Sequence, residues 1–271
     1  MSGESIARYG VTPVAEGSER RRQRVGLFVT CLVDLTRPVV GFAAARLIEW
    51  AGYEVVVPKA QTCCGQPAYN SGDSLDAKAI ARQVIEAFDK LDYLVAPSGS
   101  CAGMIKVHYP EMFSGDPIWA DRAKALADKT YELTVFLNDV AQIKDIDGIW
   151  SMTTTYHDSC SGLRELSIKA QPRNLLSEVN GLTLTEADDV EACCGFGGLF
   201  SVKYSDISEN MVDAKAAAIE NTGADLLLGG DLGCLINISG RLKRRGSAIA
   251  VRHVAEVLAG FDDTPPIGEP E

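Results

Sequence analysis

Short apolar runs and amphipathic stretches alternate along most of the chain. Val25-Gly-Leu-Phe-Val-Thr30 is an apolar run of strand length. Pro38 to Trp50 reads as a helix, with its proline in the first turn and Gly52 as its stop. Tyr53 to Val57 is a second strand, and Ala77, Ile80, Ala81, Val84 and Phe88 mark the inner stripe of a second helix. Asp92 to Ala96 is a third strand, running into Pro97-Ser-Gly-Ser-Cys101. The order then recurs. Strands are predicted at Met152–Tyr156, Leu182–Thr185 and Asp225–Leu228, with helices after Pro172 and over Ile207–Glu220. A final helix at Val254–Leu258 matches Leu133–Leu137 in the first half. Strands alternating with helices imply parallel sheets joined by right-handed crossovers. The expected fold is α/β: two tandem, internally duplicated Rossmann-like domains with parallel sheets flanked by helices.

The cysteines expose the duplication. Cys31, Cys63, Cys64 and Cys101 read C-x31-CC-x36-C, and Cys160, Cys193, Cys194 and Cys234 read C-x32-CC-x39-C. All eight are used. Thr62-Cys63-Cys64-Gly65 answers Ala192-Cys193-Cys194-Gly195, and a repeat on this scale means two copies of one domain. The tetrapeptide Asp-Ala-Lys-Ala at Asp76 and at Asp213 adds weak support. Expected boundaries are a disordered tail over 1–24, domains over 25–145 and 150–261, and a disordered, Pro-rich acidic tail over 262–271. Each cysteine falls beyond the end of a predicted strand, the edge where open parallel sheets bind ligands. Glycines at 65, 99, 103, 195, 197, 198 and 233 are expected to let backbone approach a bulky group.

Composition narrows the chemistry. The net charge of −11 excludes a generic nucleic-acid or anionic-membrane binder. No apolar stretch approaches the roughly 18–20 residues that cross a bilayer. The polar start, ending in Arg20, Arg21, Arg22 and Arg24, is no secretory signal, so a cytoplasmic location is expected. Thiols kept reduced there point to metal or redox roles rather than disulfides. Soft thiolates select zinc, copper(I) or iron–sulfur clusters. Zinc motifs usually space their cysteines two to four apart. Adjacent cysteines suit different irons of one cluster better than two corners of a small tetrahedron, which favours iron–sulfur and leaves zinc open in one half. There is no dinucleotide fingerprint, since Gly195-Phe-Gly-Gly198 follows a cysteine pair, and no ferredoxin-type cysteine run. Electrons must then come and go through partner proteins.

The C…CCG…C repeat, with Cys63-Cys64-Gly65 and Cys193-Cys194-Gly195, resembles the cysteine-rich (CCG) domain family. That family includes a subunit of heterodisulfide reductase, glycolate oxidase iron–sulfur subunits and a lactate utilization branch. Pro97-Ser-Gly-Ser-Cys101, His157-Asp158-Ser159-Cys160 and Asp231-Leu-Gly-Cys234 are most similar to the last. The resemblance spans about Val25 to Phe261. It implies an iron–sulfur electron-transfer subunit, not autonomous as an enzyme, of a cytosolic complex oxidising L-lactate to pyruvate. The eight cysteines would hold the clusters, of 4Fe–4S type. Implied partners are a ferredoxin-domain companion subunit and a third lactate utilization subunit. Two alternatives come with the family: a heterodisulfide-reductase-like thiol–disulfide redox subunit, and a glycolate oxidase iron–sulfur subunit. A third is a zinc-stabilised structural or binding subunit.

One departure stands out. Many members end each repeat in C-x2-C, but here the first position is Ser98 or Asp231. Both are candidate oxygen ligands. His157, three residues before Cys160, is a candidate second-shell donor or ligand. His108 and His253 have no histidine partner in the other repeat and read as structural or surface residues. Arg241, Lys243, Arg244 and Arg245 read as a solvated helix end that would also suit an acidic partner face. No catalytic residue is assigned.

Overall fold

The computed structural model describes residues 22–144, 146 and 150–269. In the first half, β1 (Arg24–Leu27) leads into α1 (Cys31–Thr36) and α2 (Pro38–Trp50). After β2 (Glu54–Val56) come α3 (Gln66–Ser71) and α4 (Ser74–Phe88). After β3 (Tyr93–Ala96) come α5 (Gly99–Gly103), a π-helical turn over Met104–His108 and α6 (Tyr109–Met112). Then α7 (Ala120–Asp128) precedes β4 (Thr130–Glu132) and α8 (Leu133–Val135). The second half repeats the plan with β5 (Thr153–His157), α9 (Cys160–Leu166), α10 (Ala170–Ser177) and β6 (Thr183–Leu184). It continues with α11 (Phe200–Lys203), α12 (Ser205–Glu220), β7 (Leu226–Gly229), α13 (Leu232–Arg244), β8 (Ala250–His253) and α14 (Val254–Leu258).

The sheets run β2-β1-β3-β4 and β6-β5-β7-β8, with every neighbour parallel. The expected α/β duplication is therefore present strand for strand. Its local cause is visible in α2, which buries Val40, Ala43, Ala44, Leu47 and Ile48 at helical spacing against the apolar β1. The core is continuous between the halves: Leu47 and Phe136 belong to the same buried cluster as Leu175, Val254 and Leu258.

Two strands escaped the sequence pattern. β4 and β8 are edge strands, and Thr130-Tyr-Glu132 and Ala250-Val-Arg-His253 lack an apolar run. Each ends in a polar residue that caps the next helix. Glu132 accepts hydrogen bonds from the Thr134 and Val135 amides at 2.7 and 3.2 Å, and His253 Nδ1 accepts from the Ala255 amide at 3.1 Å.

Expectations for the tails are corrected in part. Residues 1–21 lie outside the described residues, and Arg24 already belongs to β1. At the other end, Asp262 to Glu269 are held in place rather than disordered. Arg37 donates to the Pro265 carbonyl at 2.7 Å, Ser239 Oγ to the Ile267 carbonyl at 2.6 Å, and the Ile267 amide to the Val251 carbonyl at 2.8 Å. Neighbouring donors thus satisfy the proline-rich backbone. The basic cluster is largely neutralised within the chain, because Arg241 pairs with Asp213 and Glu209, Arg245 with Glu220, and Lys243 with Glu269. The two Asp-Ala-Lys-Ala copies are not equivalent: Asp76 lies in the first turn of α4, and Asp213 in the middle of α12.

Candidate functional site

Parallel strands deliver their loops to one edge of each sheet, and here the two edges meet. Cys31 opens α1 and Cys160 opens α9, while Cys101 and Cys234 are third in α5 and α13. Free amides in the first turn of a helix favour a thiolate. The Cys-Cys dipeptides occupy the loops after β2 and β6, and each turns on a left-handed glycine, Gly65 at φ 83° and Gly195 at φ 79°. There the glycine amide donates back to the first sulfur of the pair, at 3.5 Å for Cys63 and 3.3 Å for Cys193. The second cysteine of each pair is tethered by its carbonyl, through Tyr109 Oη at 2.8 Å for Cys64 and Asn237 Nδ2 at 2.9 Å for Cys194. Thr30, directly before Cys31, is held at φ 71°, a strained conformation for a β-branched residue.

The structure brings the predicted cysteines together in their two sets. A cavity of about 240 Å3 is lined by Cys31, Cys63, Cys64 and Cys101, and one of about 190 Å3 by Cys160, Cys193, Cys194 and Cys234. Gln66, Ser100, Phe196, Gly198 and Asp231 line both, so the two thiol sets share a wall in the cleft between the halves. Cys31 Sγ lies 3.8 Å from Cys63 Sγ. Hydrogen bonds from Cys31 and Cys64 draw Cys63 well below the usual thiol range, and Cys160 and Cys194 do the same for Cys193. The donors move the other way: Cys31 and Cys160 are pushed up by the bonds they donate and by burial. Each half thus holds one ready thiolate among thiols that a metal would deprotonate on binding.

Ser98 and Asp231 find each other. Ser98 Oγ donates to Asp231 Oδ2 at 3.1 Å and accepts from the Cys101 amide at 3.2 Å, and the Ser100 amide donates to the same carboxylate oxygen at 3.0 Å. Asp231 of the second half therefore caps α5 of the first through Oδ2, and Ser98 would have to release a partner to bind metal. His157 is 2% exposed, and neither ring nitrogen has a hydrogen-bond partner. Burial, with Lys215 nearby, lowers its basicity to a pKa of about 3. A ring nitrogen of His157 and the sulfurs of Cys194 and Cys234 all lie within 4.8 Å of one another. His108 stacks on Tyr69 and faces Glu111 and Glu165, whereas His253 Nε2 reaches the Pro97 carbonyl of the other half at 3.2 Å. Gly99 serves helix packing instead of a ligand, since a Cβ there would press on the Gly162 backbone of α9, whereas a Cβ on Gly103 would press only on the end of the Glu165 side chain.

Two buried charged residues gave no warning in the sequence. Buried Lys215 lies behind the second thiol set, and its only signal is a lysine on the buried stripe Ser208, Val212, Ala216, Ile219 of α12. Glu132, buried at the end of β4, has no sequence signal because β4 itself had none.

Four convergent sulfurs around each cavity, two from helix first turns and two from a glycine-turned loop, are the donor set of a metal or iron–sulfur site. Fold and site together define a duplicated, thiol-rich domain protein. The chain belongs to the cysteine-rich (CCG) domain family, whose pattern it matches over residues 25–106 and 154–239. Within that family it is 51% identical to Lactate utilization protein A of Bacillus cytotoxicus over 235 residues, 87% of this chain and 98% of that protein. The protein of the same name from Bacillus subtilis is 51% identical over the same share of each chain. A crystal structure of a hypothetical protein from Helicobacter pylori superposes with a TM-score of 0.65 at 12% identity, covering 92% of this chain and 50% of that one. That likeness concerns the fold alone, and this chain spans about half the length of that protein.

Proposed function

We propose that this chain is the iron–sulfur electron-transfer subunit of a cytosolic complex that oxidises L-lactate to pyruvate. The observation that carries the reading is the convergence of two four-thiol sets on one cleft. The lactate assignment follows the relatives named Lactate utilization protein A. Cys31, Cys63, Cys64 and Cys101 would hold one centre, and Cys160, Cys193, Cys194 and Cys234 the other. A bound 4Fe–4S cluster supplies one-electron storage. The chain's own residues do the rest: helix first turns and the Gly65 and Gly195 amides stabilise thiolate, and Phe196 packed on Gly233 shields the wall between the centres. Since its sequence carries no dinucleotide fingerprint, the chain would draw on a ferredoxin-domain companion and a third subunit for substrate and final acceptor.

The test is anaerobic reconstitution with those companion subunits, following lactate-dependent reduction of the visible chromophore. Cys193→Ser is expected to abolish it, and unaffected reduction overturns the reading. A second reading, zinc in one half, is favoured by the 3.8 Å separation of Cys31 and Cys63, a contact that Cys160 and Cys193 repeat as a hydrogen-bonded pair. Two thiolates about 2.3 Å from one tetrahedral metal stand about 3.8 Å apart. Iron, sulfide and zinc counts on anaerobically purified protein separate the two.

A further inference from the structure

The two thiol sets share a frame but not their surroundings. Phe28 stands three residues ahead of Cys31, and His157 three ahead of Cys160. Behind each Cys-Cys turn, Gly65 lies against Ala77 and Ile80 of α4, and Gly195 against Ser208 and Met211 of α12. Seven residues beyond Ala77 and Ser208 are Val84 and Lys215. In the first half, Phe28 and Val84 are fully buried in one apolar cluster with Cys64 and Cys101. In the second half their places are taken by His157 and Lys215, each 2% exposed. An imidazole and an ammonium buried this deeply are costly unless partnered. Lys215 has partners, donating to the Asp189 and Val190 carbonyls at 3.0 Å each. His157 has no hydrogen-bond partner on either nitrogen, yet it is aimed between two sulfurs.

Building on the reading that both thiol sets hold iron centres, we propose that His157 is a ligand of the second centre beside Cys194 and Cys234, which makes the two halves inequivalent. The first centre is bound through sulfur from an apolar wall, the second through sulfur and nitrogen with a buried cation behind it. A neutral imidazole at this position leaves a cluster less negative, and so at higher potential, than a thiolate there would. The Lys215 ammonium acts in the same direction on any reduced, more negative state. With the same four thiolates in each half, the buried Lys215 cation is what places the second centre at higher potential than the first. Lys215 is a positioning residue, fixing the loop into Cys193 through its two carbonyl bonds.

The test uses the full chain, purified anaerobically with its iron and labelled with 15N-histidine, in redox titrations and pulsed electron paramagnetic resonance. Wild type should show nitrogen coupling to the centre that is reduced first. His157→Phe, which copies Phe28, and His157→Cys should both lose that coupling. In His157→Cys the first reduction step should move to lower potential while the other step stays put. Lys215→Met should lower the same step and keep the coupling. Iron-loaded wild type without nitrogen coupling, or His157 variants with both steps unmoved, overturns the proposal while leaving the thiol reading intact. A protein that retains no iron overturns both.

Discussion

At the scale of single residues, Glu132 is the most exposed to test. Its Oε2 accepts from the Thr134 amide and hydroxyl and the Val135 amide, while Oε1 is buried without a partner. Burial raises its pKa from an ordinary 4.5 to about 7. Between those values the native state binds a proton that the unfolded chain has released. The stability it contributes is thus complete below pH 4.5 and lost as pH rises through 7. Linkage puts the full swing at about 3 kcal/mol. Glu132→Gln keeps an oxygen for the cap and cannot ionise. Urea unfolding of both proteins from about pH 4.5 to 8 should show the variant gaining on wild type by up to that amount, whereas parallel curves would mean an ionised, stabilised carboxylate. Asp231 offers a second check. Asp231→Ala strips the Ser100 amide and Ser98 hydroxyl of their acceptor, at a cost of about 1–3 kcal/mol. If its role is this tie across the cleft, the variant keeps its metal content, and loss of metal at constant fold would reveal a ligand. Sequence flagged Ser98 and Asp231 as chemistry because they replace cysteines, but the bond between them joins residues 133 positions apart and no spacing rule announces it.

Among the elements, what was legible depended on burial. The central strands β1, β3 and β7 are apolar because helices cover both faces of a parallel sheet, and their sequences said so, whereas β5 reads Thr-Thr-Thr-Tyr-His and is marked by β-branched residues instead. α2 and α14 fall where proline and periodicity put them. β4 and β8 were invisible because edge strands that end in helix caps carry Glu and His where a core strand carries Val. The glycines near the cysteines were legible only in part. Gly65 and Gly195 make the turns that aim the thiols, but Gly99 answers to helix packing. A Cβ there would lie 2.6 Å from Ser159 Oγ and 3.1 Å from the Gly162 backbone, which cannot step aside. Gly99→Ala should therefore force α5 and α9 apart, at a cost of about 1–3 kcal/mol. Gly115→Ala, with nothing within 4 Å of the added carbon, is the control and should stay within about 0.5 kcal/mol of wild type. Equal unfolding midpoints for the two variants would show that the α5–α9 contact is soft.

For the molecule as a whole, the cleft exists only because two halves are locked in one relation, and Glu256 is the centre of that lock. It is fully buried on α14, accepts from the His253 amide at 3.0 Å, and receives Arg37 of the first half at 2.9 and 2.6 Å. Arg252 approaches the same carboxylate from β8, and Arg37 also holds the Pro265 carbonyl. One side chain thereby joins a helix cap, the boundary between halves and the C-terminal segment. Two guanidiniums share this carboxylate, so removing it is worse than removing either cation. Glu256→Ala leaves Arg37 and Arg252 buried without their countercharge and should cost about 3–5 kcal/mol. Arg37→Met leaves Arg252 still paired and should cost less. Hydrogen exchange locates the damage. If the lock spans the halves, Glu256→Ala speeds exchange in α2 and in residues 262–269 as well as in α14. If the continuous core around Leu47 and Phe136 alone holds the halves, the change stays within α14. Metal retention then follows geometry: a lock that opens the shared wall at Ser100, Phe196 and Asp231 should loosen both thiol sets together, because neither cavity is enclosed by its own half alone.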